Sequence, residues 1–331
     1  MMKNINKVVI VGNTGWGTTL ANQFASAVDE VVILTRSLND SNEINLMNQN
    51  KSYLPGIKLQ KNITANHDWS IINQDNLLVF AVPSSSLKKT TMIINDLGVK
   101  KLNVLSATKG LDQETGLRMS EILDNHLNIN NLAVISGPNL SAEINKGLPS
   151  ATVVASKSID FATSIQNSLH SELFRVYMSN DIIGVELGGA LKNVIAIAAG
   201  IVDAFHYGEN AKSGIVTRGL AEISKLTIAA GGNPLTLQGL SGIGDLIATS
   251  FSQYSRNRMF GELIGQGMLI SQALDEINGV SEGFATLPSA IILAKKFNVD
   301  VPIFNALSLI VNDNIAPSKA IESLLSRDPR K

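Results

Sequence analysis

Short runs of apolar, largely β-branched residues recur through the first half of the chain, at Val8–Val11, Val31–Leu34, Leu77–Val82, Asn103–Ser106, Ala133–Ser136 and Ala151–Ala155. None alternates strictly with polar residues and each is bounded by turn formers, which is how strands covered on both faces read. Between them, helical spacing of apolar residues runs over Thr18–Ala27, Ser85–Leu97 and Thr115–His126. Strand, helix, strand in that order predicts an α/β fold with a mostly parallel, doubly wound sheet. After about residue 180 the strand signals stop. Helical patterns follow at Gly184–Phe205, Asn210–Ala230, Arg256–Gly265, Ile270–Glu276, Ala285–Lys296 and Pro302–Val311, predicting an all-α C-terminal domain. The expected division is 1–180 and 181–331.

Composition narrows the class. The 331 residues are 44% apolar and 17% charged with a net charge of −1, so two globular domains are expected, with no general attraction for nucleic acid or an anionic membrane. Any anion must be met by a local cluster. Cysteine is absent, which excludes disulfides, thiolate metal sites and a cysteine nucleophile, and fits a reducing compartment. His67, His126, His170 and His206 show no paired ligand spacing, so no metal is expected. Neither a GxSxG elbow nor a Walker loop is present. The run Val8–Val11 ends at Gly12, below the ~7–15 apolar residues of a signal peptide. Val194–Val202 stops at Asp203, short of the ~20 that span a bilayer. A cytoplasmic protein without stable membrane insertion is the expectation.

The strand Val8–Val11 runs into Gly12-Asn13-Thr14-Gly15-Trp16-Gly17 and then a helix. Such a turn lets backbone N–H groups at the helix start approach a pyrophosphate, so the first domain reads as a Rossmann-type dinucleotide-binding sheet. Thr14 stands where the fingerprint has its second glycine. The second strand ends Leu34-Thr35-Arg36, without the acid that selects NAD, and Arg36 favours a 2′-phosphate. NADPH or NADH is therefore the expected cofactor.

Downstream, Tyr53-Leu54-Pro55-Gly56, Ala81-Val82-Pro83-Ser84, Thr108-Lys109-Gly110, Ser136-Gly137-Pro138-Asn139, Gly189-Ala190-Leu191-Lys192-Asn193, Gly242-Ile243-Gly244-Asp245-Leu246 and Ser255-Arg256-Asn257 follow the glycine loop in order. Together these motifs resemble those of the bacterial NAD(P)-dependent glycerol-3-phosphate dehydrogenases. Leu140-Ser141, where that family commonly has Phe-Ala, is a departure alongside Thr14. Lys192 sits in a helical pattern with Gly188 and Gly184 one and two turns before it and Ala196 and Ala199 after it. Its face is nearly bare, so something comes close, and a poorly solvated lysine exchanges protons nearer neutrality. Asp245 follows a flexible Gly-Ile-Gly turn and could present a carboxylate to a cavity or cap the next helix. Ser255-Arg256-Asn257 opens a helix, a standard setting for a phosphate.

The resemblance implies reversible reduction of dihydroxyacetone phosphate to sn-glycerol 3-phosphate, supplying the phospholipid backbone, and it allows a homodimer. It makes Lys192 the general acid/base, and Lys109 a contact of both substrate and cofactor. Asp245 would contact substrate and hold Lys192, with Thr249 nearby. Gly137, Asn139, Ser255, Arg256 and Asn257 would also meet the substrate. Gly12, Thr14, Gly15, Trp16, Gly17, Arg36, Ser141, Arg256, Val280 and Glu282 would lie along the cofactor. Two rivals stand beside it: another two-domain dehydrogenase of the β-hydroxyacid type, whose substrate is a carboxylate, and a catalytically silent NADPH-binding sensor.

Overall fold

The computed structural model describes residues 5–277, 281–312 and 315–325. The chain divides into two compact units, one made of the described residues up to 108 with Met119–Ile182, the other of Lys109–Arg118 with the described residues from Ile183 onward.

In the first unit the order is β1 (Lys7–Val11), α1 (Gly15–Ala25), β2 (Glu30–Leu34), α2 (Leu38–Met47), β3 (Ile63–Asn66), β4 (Leu77–Phe80), α3 (Ser84–Asp96), β5 (Leu102–Ser106), α4 (Met119–His126), β6 (Ile129–Ser136), α5 (Ser141–Ile144), β7 (Ser150–Ser156), α6 (Ile159–Leu169) and β8 (Phe174–Ser179). The sheet order is β3-β2-β1-β4-β5-β6-β7-β8, and every neighbouring pair is parallel except β6 with β7. The order reverses between β1 and β4, and in open α/β sheets ligands bind beyond the carboxyl ends of strands at such a point. Val8–Val11, Val31, Ile33, Leu77 and Val79 are buried, as the uninterrupted apolar runs predict. The edge strands β3 and β8 differ from expectation. In β8, buried Phe174 and Val176 alternate with exposed Arg175 and Tyr177, and β3 has only four residues, so neither forms a continuous apolar run.

The helical unit comprises α7 (Ile182–Ala204), α8 (Gly208–Ala229), α9 (Asp245–Phe251), α10 (Arg256–Gly265), α11 (Ile270–Glu276), α12 (Glu282–Phe297), α13 (Pro302–Asn312) and α14 (Pro317–Leu325). Helix α7 is its axis. It is longer than the apolar stretch read from the sequence; by length and composition it could cross a membrane, but 89% of its most apolar window is buried inside the protein. Its small residues admit neighbouring backbone: a Cβ on Gly188 would stand 2.5 Å from the Ser241 carbonyl, and one on Gly200 would stand 2.8 Å from the Glu262 nitrogen. The bare face around Lys192 is thus filled in part by protein. On α8, the buried Glu222 carboxylate accepts from the Ile303 and Phe304 N–H groups at 2.9 and 3.4 Å and so caps α13. Burial pushes its pKa up to about 7 against the pull of those N–H groups.

The segment 109–118, expected in the first half, packs in the helical unit. Leu111, 1% exposed, belongs to the helical core; Arg118 reaches Glu186 of α7 at 2.7 Å; and a Cβ on Gly116 would lie 3.3 Å from Ile292. Asp112 accepts from the Thr115 N–H and its carbonyl from the Gly116 N–H, closing a turn where a helix was expected to start, so α4 begins only at Met119.

Candidate active site

In the first unit the glycine loop leaves the end of β1 and enters α1. Gly12 has φ +109°, and a Cβ there would stand 2.9 Å from Val82 and 3.0 Å from the Ala81 carbonyl just past β4, so only glycine fits the turn. Thr14 is extended at φ −67°, where glycine has no advantage. It is the N-cap of α1, accepting from the Gly17 N–H at 3.0 Å, while its hydroxyl donates to the Ala81 carbonyl at 2.8 Å. The departure from the glycine fingerprint therefore closes the loop onto β4. Gly15 lies under the Tyr53 carbonyl, where a Cβ would come to 3.2 Å, and Gly17 is buried against Ala81 and Ile10.

These residues fit a dinucleotide. The first N–H groups of α1 have no acceptor inside the helix and carry its positive dipole end. The indole N–H of Trp16 is buried without a partner among the described residues. Arg36 is exposed just beyond β2. Gly137 packs against β7, with a Cβ position 3.0 Å from Thr152 Cα; Asn139 accepts from the Thr152 hydroxyl at 3.0 Å; and Ser141 opens α5.

In the helical unit three charged groups converge. Lys192, on α7 and 6% exposed, donates from Nζ to Asp245 Oδ1 at 2.5 Å and to the Thr249 hydroxyl. Lys109 donates to the other carboxylate oxygen, Oδ2, at 2.6 Å. Asp245 is delivered by a single π-helical turn, Leu240–Gly244, which feeds it into the first position of α9; Thr249 lies one turn on and donates to Asp245 Oδ1 at 3.3 Å. Burial brings the Lys192 pKa down to about 8; the Asp245 charge holds it up and the Lys109 charge works against it. Among the described residues two of the three Nζ hydrogens are engaged, which leaves one for a substrate oxygen. With Lys192 protonated the trio carries a net positive charge, which suits an anionic ligand.

Ser255 is the buried N-cap of α10 and accepts from the Arg258 N–H at 3.3 Å. Arg256, at the first helical position, is exposed, and its guanidinium has no hydrogen bond or ion pair among the described residues. Asn257 is committed to the fold: Nδ2 donates to Asn193, the residue after Lys192, at 3.0 Å, and Oδ1 accepts from the Ser281 hydroxyl and the Gly283 N–H. It ties the start of α10 to the neighbour of Lys192 and to the start of α12, where Glu282 sits. Val280 lies outside the described residues. Arg258 spans Asp203 at 2.6 Å, an engagement that the sequence did not signal.

A glycine turn with a bare helix start at the switch point of a parallel sheet, and a buried lysine of pKa about 8 on a carboxylate, define a nicotinamide-dependent dehydrogenase. The comparisons with known proteins narrow this class. Residues 7–162 match the model of the NAD-dependent glycerol-3-phosphate dehydrogenase N-terminus and residues 181–322 that of its C-terminus, and the chain belongs to this family. It is 40% identical over 330 residues, 99% of this chain and 98% of the relative, to glycerol-3-phosphate dehydrogenase [NAD(P)+] of Francisella tularensis. It is 37% identical to the enzyme of that name from Chlorobium phaeobacteroides, over 98% of both chains. The crystal structure of a glycerol-3-phosphate dehydrogenase from Coxiella burnetii superposes with a TM-score of 0.93 at 32% identity, covering 98% of this chain and 99% of that one.

Proposed function

We propose that this protein reduces dihydroxyacetone phosphate to sn-glycerol 3-phosphate with NADH or NADPH, reversibly, in the supply of glycerophospholipid backbones. The observation that carries the reading is the Lys192–Asp245–Lys109 cluster, in which Lys192 is buried and two of its three ammonium hydrogens are engaged among the described residues. The reduced dinucleotide, when bound, supplies a hydride to the carbonyl carbon. Lys192 gives the matching proton to the carbonyl oxygen, so that C=O becomes CH–OH and the ammonium becomes a neutral amine. Asp245 and Thr249 fix the direction of that N–H, and Lys109 holds the carboxylate from its far side. In the reverse direction the neutral amine takes the proton back, which its pKa near 8 makes accessible.

Arg256 and the start of α10 take the substrate phosphate in this reading, supported by an exposed guanidinium at a helix N-terminus beside the neighbour of Lys192. The glycine loop and Arg36 take the dinucleotide, with Ser141, Val280 and Glu282 further along it. Gly137 and Asn139 face the substrate. The first half, about residues 1–180, is the dinucleotide half and the remainder the substrate half, with 109–118 lending Lys109 to the latter. A cytoplasmic location agrees with a cysteine-free chain. The deciding assay follows loss of nicotinamide absorbance with dihydroxyacetone phosphate, using each cofactor in turn, against unphosphorylated dihydroxyacetone and a β-keto acid. Turnover should require the phosphate ester. Turnover of the keto acid alone would replace this reading with its carboxylate rival, and none at all would leave a binding protein.

A further inference from the structure

The first unit buries an asparagine that the reaction above does not use. Asn50, 2% exposed, follows α2 and opens the turn that carries Tyr53-Leu54-Pro55-Gly56. Its Nδ2 donates both hydrogens, to the Asn13 carbonyl at 2.7 Å and to the Thr18 hydroxyl at 2.7 Å. Its Oδ1 accepts from the Tyr53 N–H at 3.3 Å, and its own carbonyl accepts from the Leu54 N–H at 2.8 Å. The Thr18 hydroxyl passes the chain on by donating to the Thr14 carbonyl at 2.9 Å.

Two consecutive carbonyls of the glycine loop, those of Asn13 and Thr14, are thus turned toward donors inside the protein. A trans peptide sends its N–H opposite its carbonyl, and among the described residues no peptide is cis. The Thr14 N–H therefore faces away from Asn50 and the Gly15 N–H away from Thr18, whose backbone N–H the Thr14 carbonyl also accepts, and neither has an acceptor among the described residues. We infer that Asn50 is a positioning residue of the dinucleotide site: through the Asn13 carbonyl and the Thr18 hydroxyl it orients the loop so that these two N–H groups meet the cofactor pyrophosphate. The inference rests on the dehydrogenase reading above. The chemistry at position 50 is selective: the site asks for two donors on one atom and an acceptor beside it within a short side chain. Aspartate lacks the donors, serine has one, and glutamine is a methylene too long for a site buried on all sides.

The test compares wild type with Asn50→Asp, which keeps shape and the acceptor for Tyr53 but loses both donations, and Thr18→Val, which removes the hydroxyl that links Asn50 to Thr14 and leaves the Asn50 donation to the Asn13 carbonyl in place. NADPH affinity is read by quenching of tryptophan fluorescence, beside kcat and KM for dihydroxyacetone phosphate and inhibition by adenosine 2′-phosphate, which lacks the pyrophosphate. The NADPH Kd should rise about 10–100-fold in Asn50→Asp and about 3–10-fold in Thr18→Val. At saturating NADPH kcat should stay within about threefold, and the KM for the ketone and the adenosine 2′-phosphate inhibition should hold. General damage to the fold would instead weaken every ligand and lower the thermal midpoint together, and that result overturns the proposal. So does an NADPH Kd unchanged in either folded variant. If Asn50→Asp does not fold, Thr18→Val decides. A wild type that binds neither dinucleotide removes the dehydrogenase reading itself, whereas wild type and variants binding equally well removes only the role of Asn50.

Discussion

Replacing Asp245 by Asn keeps the outline of the side chain and deletes the one charge that two lysines share. Their ammonium nitrogens stand 2.5 and 2.6 Å from its oxygens, and the carboxylate is 3% exposed, so solvent screens this attraction weakly. Burial lowers the Lys192 pKa to about 8, and Asp245 is the strongest influence holding it that high, with Lys109 pushing the same way as burial. An opposite charge in contact typically moves a pKa by ~1–3, so without it the Lys192 midpoint should fall to between about 5 and 7. Lys192 must be protonated to act as an acid, so reduction is supported below the midpoint and lost above it. At pH 7.5 a group of pKa about 8 is roughly 75% protonated and one of pKa about 6 roughly 3%, a loss of about 25-fold in kcat/KM for dihydroxyacetone phosphate. Lowering the pH toward 5.5 should restore much of it. The assay is the pH profile of kcat/KM at saturating NADPH, with the thermal midpoint recorded because two cations would then share a buried place without a counter-charge. An alkaline limb still centred near 8, or a loss equal at every pH, would refute the account of Asp245 as the group that sets the Lys192 proton affinity.

Arg36→Asp should weaken NADPH at least about tenfold more than NADH, since it deletes a phosphate partner and adds a repelling carboxylate; equal losses in a Kd comparison would take Arg36 away from the ribose. Arg256→Ala should cost about 30–1000-fold in kcat/KM for dihydroxyacetone phosphate and little for dihydroxyacetone, and parallel losses would put the guanidinium elsewhere. Glu222 has a folded pKa raised from 4.5 to about 7, so its stabilising contribution is full below about 4.5 and fades as pH rises through about 7. Melting curves of Glu222→Gln should therefore show a smaller fall in thermal midpoint between pH 5 and pH 8 than wild type, and equal falls would dismiss burial as the cause.

Elements whose chemistry is local were legible from the sequence. The strands under the sheet's centre are unbroken apolar runs, and α7 declared itself through Gly184, Gly188, Ala196 and Ala199 around a lone lysine. The same small residues signal close approach without saying by what, and at Gly188 the visitor is the protein's own backbone. Edge strands escaped because half their side chains face water. The Lys109–Asp245 pair joins positions 136 residues apart, and it exists because Leu111 anchors its segment in the helical core, which no local pattern announces. Asn50, and the role of Asn257 as a tie within the fold and not only a substrate contact, were hidden for a related reason. An asparagine in a loop or a first helical turn looks alike whether it meets water or clamps several segments, and only the fold reveals which. Thr14 read as a flaw in a glycine fingerprint and is a helix cap.

Segment 109–118 leaves the first unit after Thr108 and rejoins it at Met119. Its partners are synthesised much later: Gln113 donates to the carbonyl of Ala285, 172 residues further on. At about 5–20 residues per second a ribosome needs roughly 9–35 s to cover that gap, longer than the sheet strands on either side need to pair. During that interval the loop is an open bight on a half-finished molecule, offering its backbone to chaperones and proteases. A message truncated before the helical half would leave Leu111 without the core it packs into.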